Sequence, residues 1–499
     1  MTDSAFPPRP ALKPDEIRSI IIGLMMAMLL AALDQTIVAT AMPTIGRELG
    51  DAENLPWIVT AYLLASTAVT PLYGKFSDIH GRRIALLIAI ILFIIGSLAC
   101  ALAPTMVALA LARGVQGLGG GGLISLAQTI LGDILSPRER ARYQVFIASV
   151  FALSSLAGPL LGGFFAEHFH WSLIFWINLP IGLAAFLMTN GKLRLLPRHE
   201  RRHSIDFLGA AILVVATVSL LLALSWGGIR YPWGSPRVLT LLGLSIVAWA
   251  GFVVRLRMAR EPLIPLAVLG DQVVATGTLA ACFAMGTFIG LTIYVPIYLE
   301  GVLGLTASQS GIALVPLMIG TVAGATISGR SMMYFTHYKR LPLIGMVISV
   351  VTCAVLALAA PALPLAALEV MLLLISLGLG TILPLATIAI QNAVAHHQLG
   401  TATATMNFFR SLGGALIVAV FGTIVIGGGG VKAIGIGNSS PLGAADLAQL
   451  SRTFQVVFAA ADISLILALL WLALMQQRPL RGQAKTSEKA GEPLPIMIE

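Results

Sequence analysis

Four charged side chains, Asp34, Arg113, Arg410 and Asp462, are each flanked on both sides by long apolar sequence. An ionisable group in such surroundings is expensive, so it faces other protein groups and marks a route for ions or substrate. An acid placed this way is suited to carrying a proton. Burial disfavours a carboxylic acid's charged form and a neighbouring guanidinium favours it, so an acid whose surroundings alternate between wet and closed can load and release a proton. Asp34 is the candidate for that role. Arg113 cannot give up its own proton, and its expected part is to bias Asp34 electrostatically. Arg410 and Asp462 are secondary candidates, the first to neutralise an anionic group or a helix end, the second as another titratable site. Nothing else resembles reaction chemistry. The eight histidines fall in loops or at the ends of apolar runs, with no convergent nucleophile, base or metal ligands, which argues against an enzyme or a metal site. Cys100, Cys282 and Cys353 read as packed thiols. There is no G-x-x-x-x-G-K-[ST] loop, so ATP is not the expected energy source and no cofactor is expected; a proton gradient would supply the energy.

The elements that hold these residues must cross a bilayer. Of 499 residues 57% are hydrophobic and 11% charged, against about 25% charged in soluble domains. Apolar runs of about 20 residues, the length that spans a hydrocarbon core, recur along the chain. Fourteen spans are expected near 17–42, 56–76, 83–103, 105–130, 143–166, 171–190, 206–226, 237–256, 270–298, 309–330, 341–360, 364–386, 400–426 and 454–476. With the N-terminus placed in the cytoplasm, cytoplasmic loops and tails hold 24 Lys and Arg and the opposite side holds 5. That asymmetry puts both termini in the cytoplasm. The net charge of +9 is spread over many short loops rather than gathered on one domain, which argues against a nucleic-acid partner. At ~1.5 Å per residue Asp34 lies ~25 Å from the inner start of the first span and Arg113 ~12 Å from the outer start of the fourth, within about one turn of each other in the outer half of a core ~30 Å thick.

The segment GKFSDIHGRR, residues 74–83, carries Gly74, Asp78, Gly81, Arg82 and Arg83. It resembles the loop between the second and third helices of the major facilitator superfamily. Residues 328–345 look like a second copy that lacks the aspartate. Two six-span halves with matching loops imply an all-α major facilitator fold, with the substrate site between the halves near the midplane. The two spans between 206 and 256 would then be an insertion, as in the fourteen-helix drug:proton antiporters of the EmrB/QacA type. The implied organisation is a tail at 1–16, a six-helix bundle at 17–190, a linker with two inserted helices at 191–269, a second bundle at 270–476 and a tail at 477–499.

LDQTIVATAMPTIG (33–46), WIVTAYLL (57–64), AGPLLGG (157–163) and NFFRSLGG (407–414) are similar to further segments of that subgroup. Ser172 departs from it, standing where the subgroup usually has arginine. The resemblance implies that residues 74–83 latch the cytoplasmic side in an outward-facing state. It also implies that Gly158, Pro159, Gly162 and Gly163 form an antiporter motif; proline bends the helix and glycines would let it pack against the opposite half. Six glycines from Gly114 to Gly122 should let neighbouring helices approach closely. Gly117, Gly119 and Gly122 also spell GxGxxG, but without a preceding strand this is no dinucleotide site.

The expected function is proton-coupled export of lipophilic, cationic compounds across the cytoplasmic membrane. Met285, Phe288, Tyr294, Tyr298 and Phe408 are candidates for the cavity wall. Competing readings are a specific exporter or importer of one metabolite and, from another class, a channel or membrane-embedded enzyme. The expected partners are small substrates, protons and lipid. Nothing in the sequence specifies an adaptor protein.

Overall fold

A computed structural model describes residues 14–51, 54–195, 206–228, 230–335, 337–427 and 444–480. The first helices are α1 (Pro14–Leu49), α2 (Trp57–His80), α3 (Arg82–Ala101), α4 (Met106–Ile134), α5 (Pro137–His168), α6 (Leu173–Trp176) and α7 (Asn178–Lys192). Two more, α8 (Phe207–Trp226) and α9 (Pro236–Met258), precede a one-turn α10 (Leu266–Leu269). The rest are α11 (Gln272–Gly301), α12 (Ala307–Ala313), α13 (Val315–Tyr334), α14 (Arg340–Ala359), α15 (Leu365–Ala393), α16 (Leu399–Gly427) and α17 (Ala444–Leu474). Among the described residues, 13 helical segments are long and apolar enough to cross a membrane. The segment α2 falls outside that set because it carries Tyr62, Thr67, Thr70 and Tyr73, all buried inward against neighbouring helices. With it the chain has the fourteen spans expected.

Local chemistry explains the breaks. The sixth span, expected unbroken over 171–190, divides at Ile177 because Pro180 has no N–H and its ring excludes the carbonyl four residues back, at Trp176. Pro316 divides α12 from α13 in the same way. Ser136 with Glu139 and Thr306 with Gln309 form capping boxes at the starts of α5 and α12. The last span starts at Ala444, ten residues before the expected boundary, because AADLAQLSRTF is already helical where its polar residues had suggested a loop. The expected external loop therefore shortens, and its residues 428–443 lie outside the described residues, as do most of the 192–206 linker and of the 477–499 tail.

Helices α1–α7 pack as one bundle and α11–α17 as a second, while α8 and α9 pair with each other and lean on α2 and α16. The inserted pair is tied by Arg255 to Asp206 at 2.9 Å and by Ser245 Oγ to the Ala216 carbonyl at 3.0 Å. Its aromatic contacts run outward to both bundles, Trp226 to Trp57 and Trp249 to Phe408. The end of the molecule carrying residues 74–83 and 192–195 is called the basic end below.

Glycine sets how closely the helices approach. Gly117 and Gly121 meet α2 backbone at Tyr62 and Ser66, and Gly119 meets α3 backbone at Ala89 and Phe93, so α4 is wedged between the two. Gly158 and Gly162 do not reach the opposite half as expected. They seat α5 on α1 of the same bundle, against Thr36, Ile37 and Thr40, and Thr36 Oγ1 donates to the Ser154 carbonyl at 2.8 Å. Pro159 is exposed and Gly163 faces open space. Helix α5 meets the second half several turns earlier, where Gly329 of α13 lies on the Ala141 carbonyl. A Cβ at 158 would stand 2.0 Å from Thr36 Oγ1. The substitution Gly158→Leu is therefore expected to destabilise the chain by about 1–3 kcal/mol, read as a lower thermal midpoint of the purified protein. An unchanged midpoint would show that this α1–α5 contact is slack.

Candidate functional site

Asp34 and Arg113 are in contact. Arg113 Nη1 donates to Asp34 Oδ2 at 2.6 Å, and the two side chains are 1% and 0% exposed. Helix α1 brings Asp34, α4 brings Arg113, and both come to the half of the bundle away from the basic end. The other carboxylate oxygen accepts from Gln116 Nε2 at 2.8 Å and from Asn178 Nδ2 at 3.2 Å. Both amides also reach Ser97 Oγ, at 2.8 and 3.3 Å. Arg113 Nε donates to the Ile58 carbonyl at 2.9 Å, and its guanidinium lies 4.4 Å from the ring centre of Tyr62. Three donors thus converge on one carboxylate, the arrangement an ionised aspartate accepts and a protonated one, which must turn an O–H outward, does not.

Gln116, Ser97 and Asn178 complete the site although charge did not mark them in the sequence. Gln116 stands three residues after Arg113, on the same helical face. The break at Ile177 starts α7 at Asn178 and turns its amide inward. In the same segment Ser172 Oγ bonds His170 Nδ1 at 2.8 Å, and His170 Nε2 lies 3.3 Å from Glu48.

A second polar assembly closes the basic end. Gly81, with φ of 91°, ends α2 in a conformation that glycine adopts without strain. The Asp78 carboxylate accepts from the backbone N–H groups of Gly400 and Thr401 at 3.1 and 2.8 Å and from Thr401 Oγ1 at 2.6 Å. These are first-turn groups of α16, in the other bundle, and their positive end suits a carboxylate. Arg82 pairs with the same aspartate and with Asp133 at 2.7 Å, while Arg83 holds Asn190 Oδ1 at 2.6 Å. Gly74 is where α2 and α16 touch, since a Cβ there would lie 2.5 Å from that of Ala404. Deeper in, Arg140 Nη1 of α5 donates to Gln391 of α15 at 2.6 Å, Gln391 Nε2 to the Gln128 carbonyl at 3.1 Å, and Asn407 Nδ2 of α16 to Gln128 Oε1 at 2.8 Å. A cavity of about 10 Å³, room for a single water, lies among Gln128, Arg140, Gln144 and Gln391. The copy of this loop in the second half works differently. There Lys339 donates to the Ala473 and Met475 carbonyls at 2.8 and 2.5 Å, capping α17.

Losing the Asp78 charge should weaken the latch. Asp78→Asn is expected to cost about 1–2 kcal/mol of basic-end closure, a roughly 10-fold shift. The readout is the reactivity of Ala404→Cys toward a thiol reagent, which should rise by that factor in the Asn variant. Unchanged reactivity would mean that α2–α16 packing alone holds the end shut.

The remaining candidates separate. Met285, Phe288 and Thr292 are partly exposed on α11, Phe288 packing on the core of the second bundle, and Arg410 approaches Met285 Sδ at 3.8 Å. Tyr294 turns to α16, its hydroxyl donating to the Val418 carbonyl at 3.2 Å. Tyr298 is enclosed in the second bundle, bonded to the Ala360 carbonyl at 2.8 Å and packed on Phe454 and Phe458. Phe408 is fully buried against Trp249 of the inserted pair. Asp462 is partly buried on α17, one turn past Phe458, whose carbonyl accepts from Cys353 of α14. The GxGxxG glycines are helical packing positions, as above.

The sequence profile of the Major Facilitator Superfamily matches residues 24–418. The chain belongs to this superfamily. It is 33% identical over 417 residues to the multidrug transporter protein MdtP of Bacillus subtilis (strain 168), covering 81% of this chain and 75% of that one. It is 35% identical over 414 residues to multidrug resistance protein 3 of the same organism, covering 83% and 80%. The solved proton:xylose symporter XylE superimposes with a TM-score of 0.64 at 13% identity, over 94% of this chain and 98% of that one, a likeness of fold. This major facilitator chain is a multi-pass membrane protein and a secondary transporter of small molecules rather than an enzyme.

Proposed function

We propose that this protein exports lipophilic compounds from the cell in exchange for protons, by alternating access between its two bundles. The observation that carries the reading is the enclosed Asp34–Arg113 pair standing above a latched bundle interface. The two B. subtilis relatives are named for multidrug transport and resistance, which supports efflux. The basic end is assigned to the cytoplasm from its excess of Lys and Arg. The hydrogen bonds described between the bundles gather in that half, so the closed end faces inward and the conformation is outward-facing. No ATP or cofactor takes part in this scheme.

In this conformation Asp34 is ionised and held by Arg113, Gln116 and Asn178. A proton arriving from outside neutralises it and frees the guanidinium from its partner. The Ile58 carbonyl on α2 and the Gln116 amide on α4 then carry the change to the two helices that lead to the latch. Unlatching Asp78 from α16 opens the cytoplasmic side, where release of the proton and capture of substrate reset the pair. The test is reconstitution of the wild type into liposomes with an imposed pH gradient. A lipophilic dye should move against its own gradient only while the proton gradient lasts; movement indifferent to the gradient would refute the exchange.

A further inference from the structure

We propose that Arg410 anchors the anionic headgroup of the substrate, so that the exported compounds are amphipathic organic anions. This rests on the transport reading above and names its substrate class, in place of the cationic one suggested by resemblance.

Arg410 lies 11 residues into α16, ~16 Å from the basic end of a core ~30 Å thick, and so at mid-depth. Its position on the helix is between two neighbours. Asn407, one turn below, bonds α4 of the opposite bundle, and the guanidinium itself reaches Met285 on the partly exposed face of α11. Arg410 therefore stands one helical turn above the Gln128–Asn407–Gln391 layer that joins the two bundles near the basic end.

Its polar contacts are few. Nη1 donates to Asn407 Oδ1 at 3.1 Å, Nη2 approaches the Met285 thioether, and Nε is buried without a partner. Among the described residues no carboxylate lies within 4.0 Å of it. The contrast within the chain is sharp. Arg113 has Asp34, Arg82 has Asp78 and Asp133, and Arg255 has Asp206. A structural arginine at this depth would be paired in the same way, because an unpaired buried charge is strongly destabilising. A guanidinium with an unpartnered Nε–H and no counter-charge, beside the Met285 thioether, matches a carboxylate or sulfonate on an apolar body. The acids stand elsewhere: Asp462 Oδ1 is also buried without a partner, but beside Cys353 of α14. Asp34 is already enclosed by three donors, and Asp462 lies on α17 toward α14.

Two probes with one lipophilic body decide the matter: pyrenebutyrate and its trimethylammonium counterpart. Both are titrated by fluorescence against the purified full-length protein with no pH gradient. The wild type is expected to bind the anion at least about 10-fold more tightly than the cation. Arg410→Gln should lose about 10-fold or more for the anion and change cation binding by less than about twofold, with an intact thermal transition, whereas Arg410→Lys should keep most of the preference. Equal or tighter cation binding by the wild type, equal loss of both probes in Arg410→Gln, or binding of neither probe overturns the assignment. Because binding is measured without a gradient, it stands or falls apart from proton coupling. Anion binding that survives in a protein unable to exchange protons would contradict the preceding section and leave this one intact.

Discussion

Asp34→Asn is expected to abolish uphill transport, lowering gradient-driven dye efflux from liposomes by at least about 100-fold, a loss of ~2.7 kcal/mol of driving interaction. The amide keeps the shape of the carboxylate and can still accept from Arg113, but it leaves that guanidinium without a counter-charge, so a stability loss of about 3–5 kcal/mol is expected and both transport readouts are taken on the folded fraction. What it cannot do is change charge. Exchange of labelled for unlabelled dye, with no gradient to harvest, should therefore continue at a rate within a few-fold of the wild type. That split separates a proton carrier from a merely structural partner, whose removal would depress both activities together. Full uphill transport by the Asn variant would place the coupling elsewhere, with Asp462 the next acid to test.

The second large effect concerns stability. Arg113→Met leaves Asp34 buried with only two amide donors, and breaking an enclosed ion pair from one side costs about 3–5 kcal/mol. A fall of that size in the free energy of unfolding, or its equivalent in thermal midpoint, is expected. Adding Asp34→Asn to the same chain should restore most of it, because no unpaired charge then remains. The double variant should be as stable as the parent to within ~1 kcal/mol and still unable to pump. If Arg113→Met alone were as stable as the wild type, the Asp34 carboxylate would have to be protonated or hydrated rather than held as an ion pair.

The charged half of the site was legible because charges within apolar runs are conspicuous. Asp34 and Arg113 could be matched in depth by counting residues along oppositely directed helices. Neutral polar groups give no such signal. Ser97 and Asn178 sit in apolar stretches whose hydropathy they barely alter, and the inward turn of Asn178 depends on the interruption before Pro180. The latch was legible in the same uneven way. Asp78 stood out as the one acid of its loop, and it both pairs with Arg82 and caps a helix, yet the helix it caps, α16, is more than 300 residues away in sequence. Orientation on a helix was the least readable property. Gly158 and Gly162 marked a close approach, expected toward the opposite half, and it is to α1 of their own bundle. Tyr294, Tyr298 and Phe408 are aromatic residues of plausible type for a cavity wall, but hydrogen bonds to Val418 and Ala360 and packing on Trp249 turn them elsewhere. Met285 stands beside Arg410 because Gly286 and Gly290, on the adjoining face of α11, pack on α16.

The central claim is that one carboxyl group, Asp34, changes its ionisation as substrate and proton trade places. The most direct measurement counts those protons. A dye pumped by the wild type is added to purified protein in weakly buffered solution, and the pH change is followed with an indicator. With the protein first brought to a pH low enough to protonate Asp34, on the order of one proton released per protein molecule is expected from the wild type, and none from Asp34→Asn although it still binds the dye. Equal release from both proteins, or none from a wild type that binds the dye, would contradict the claim.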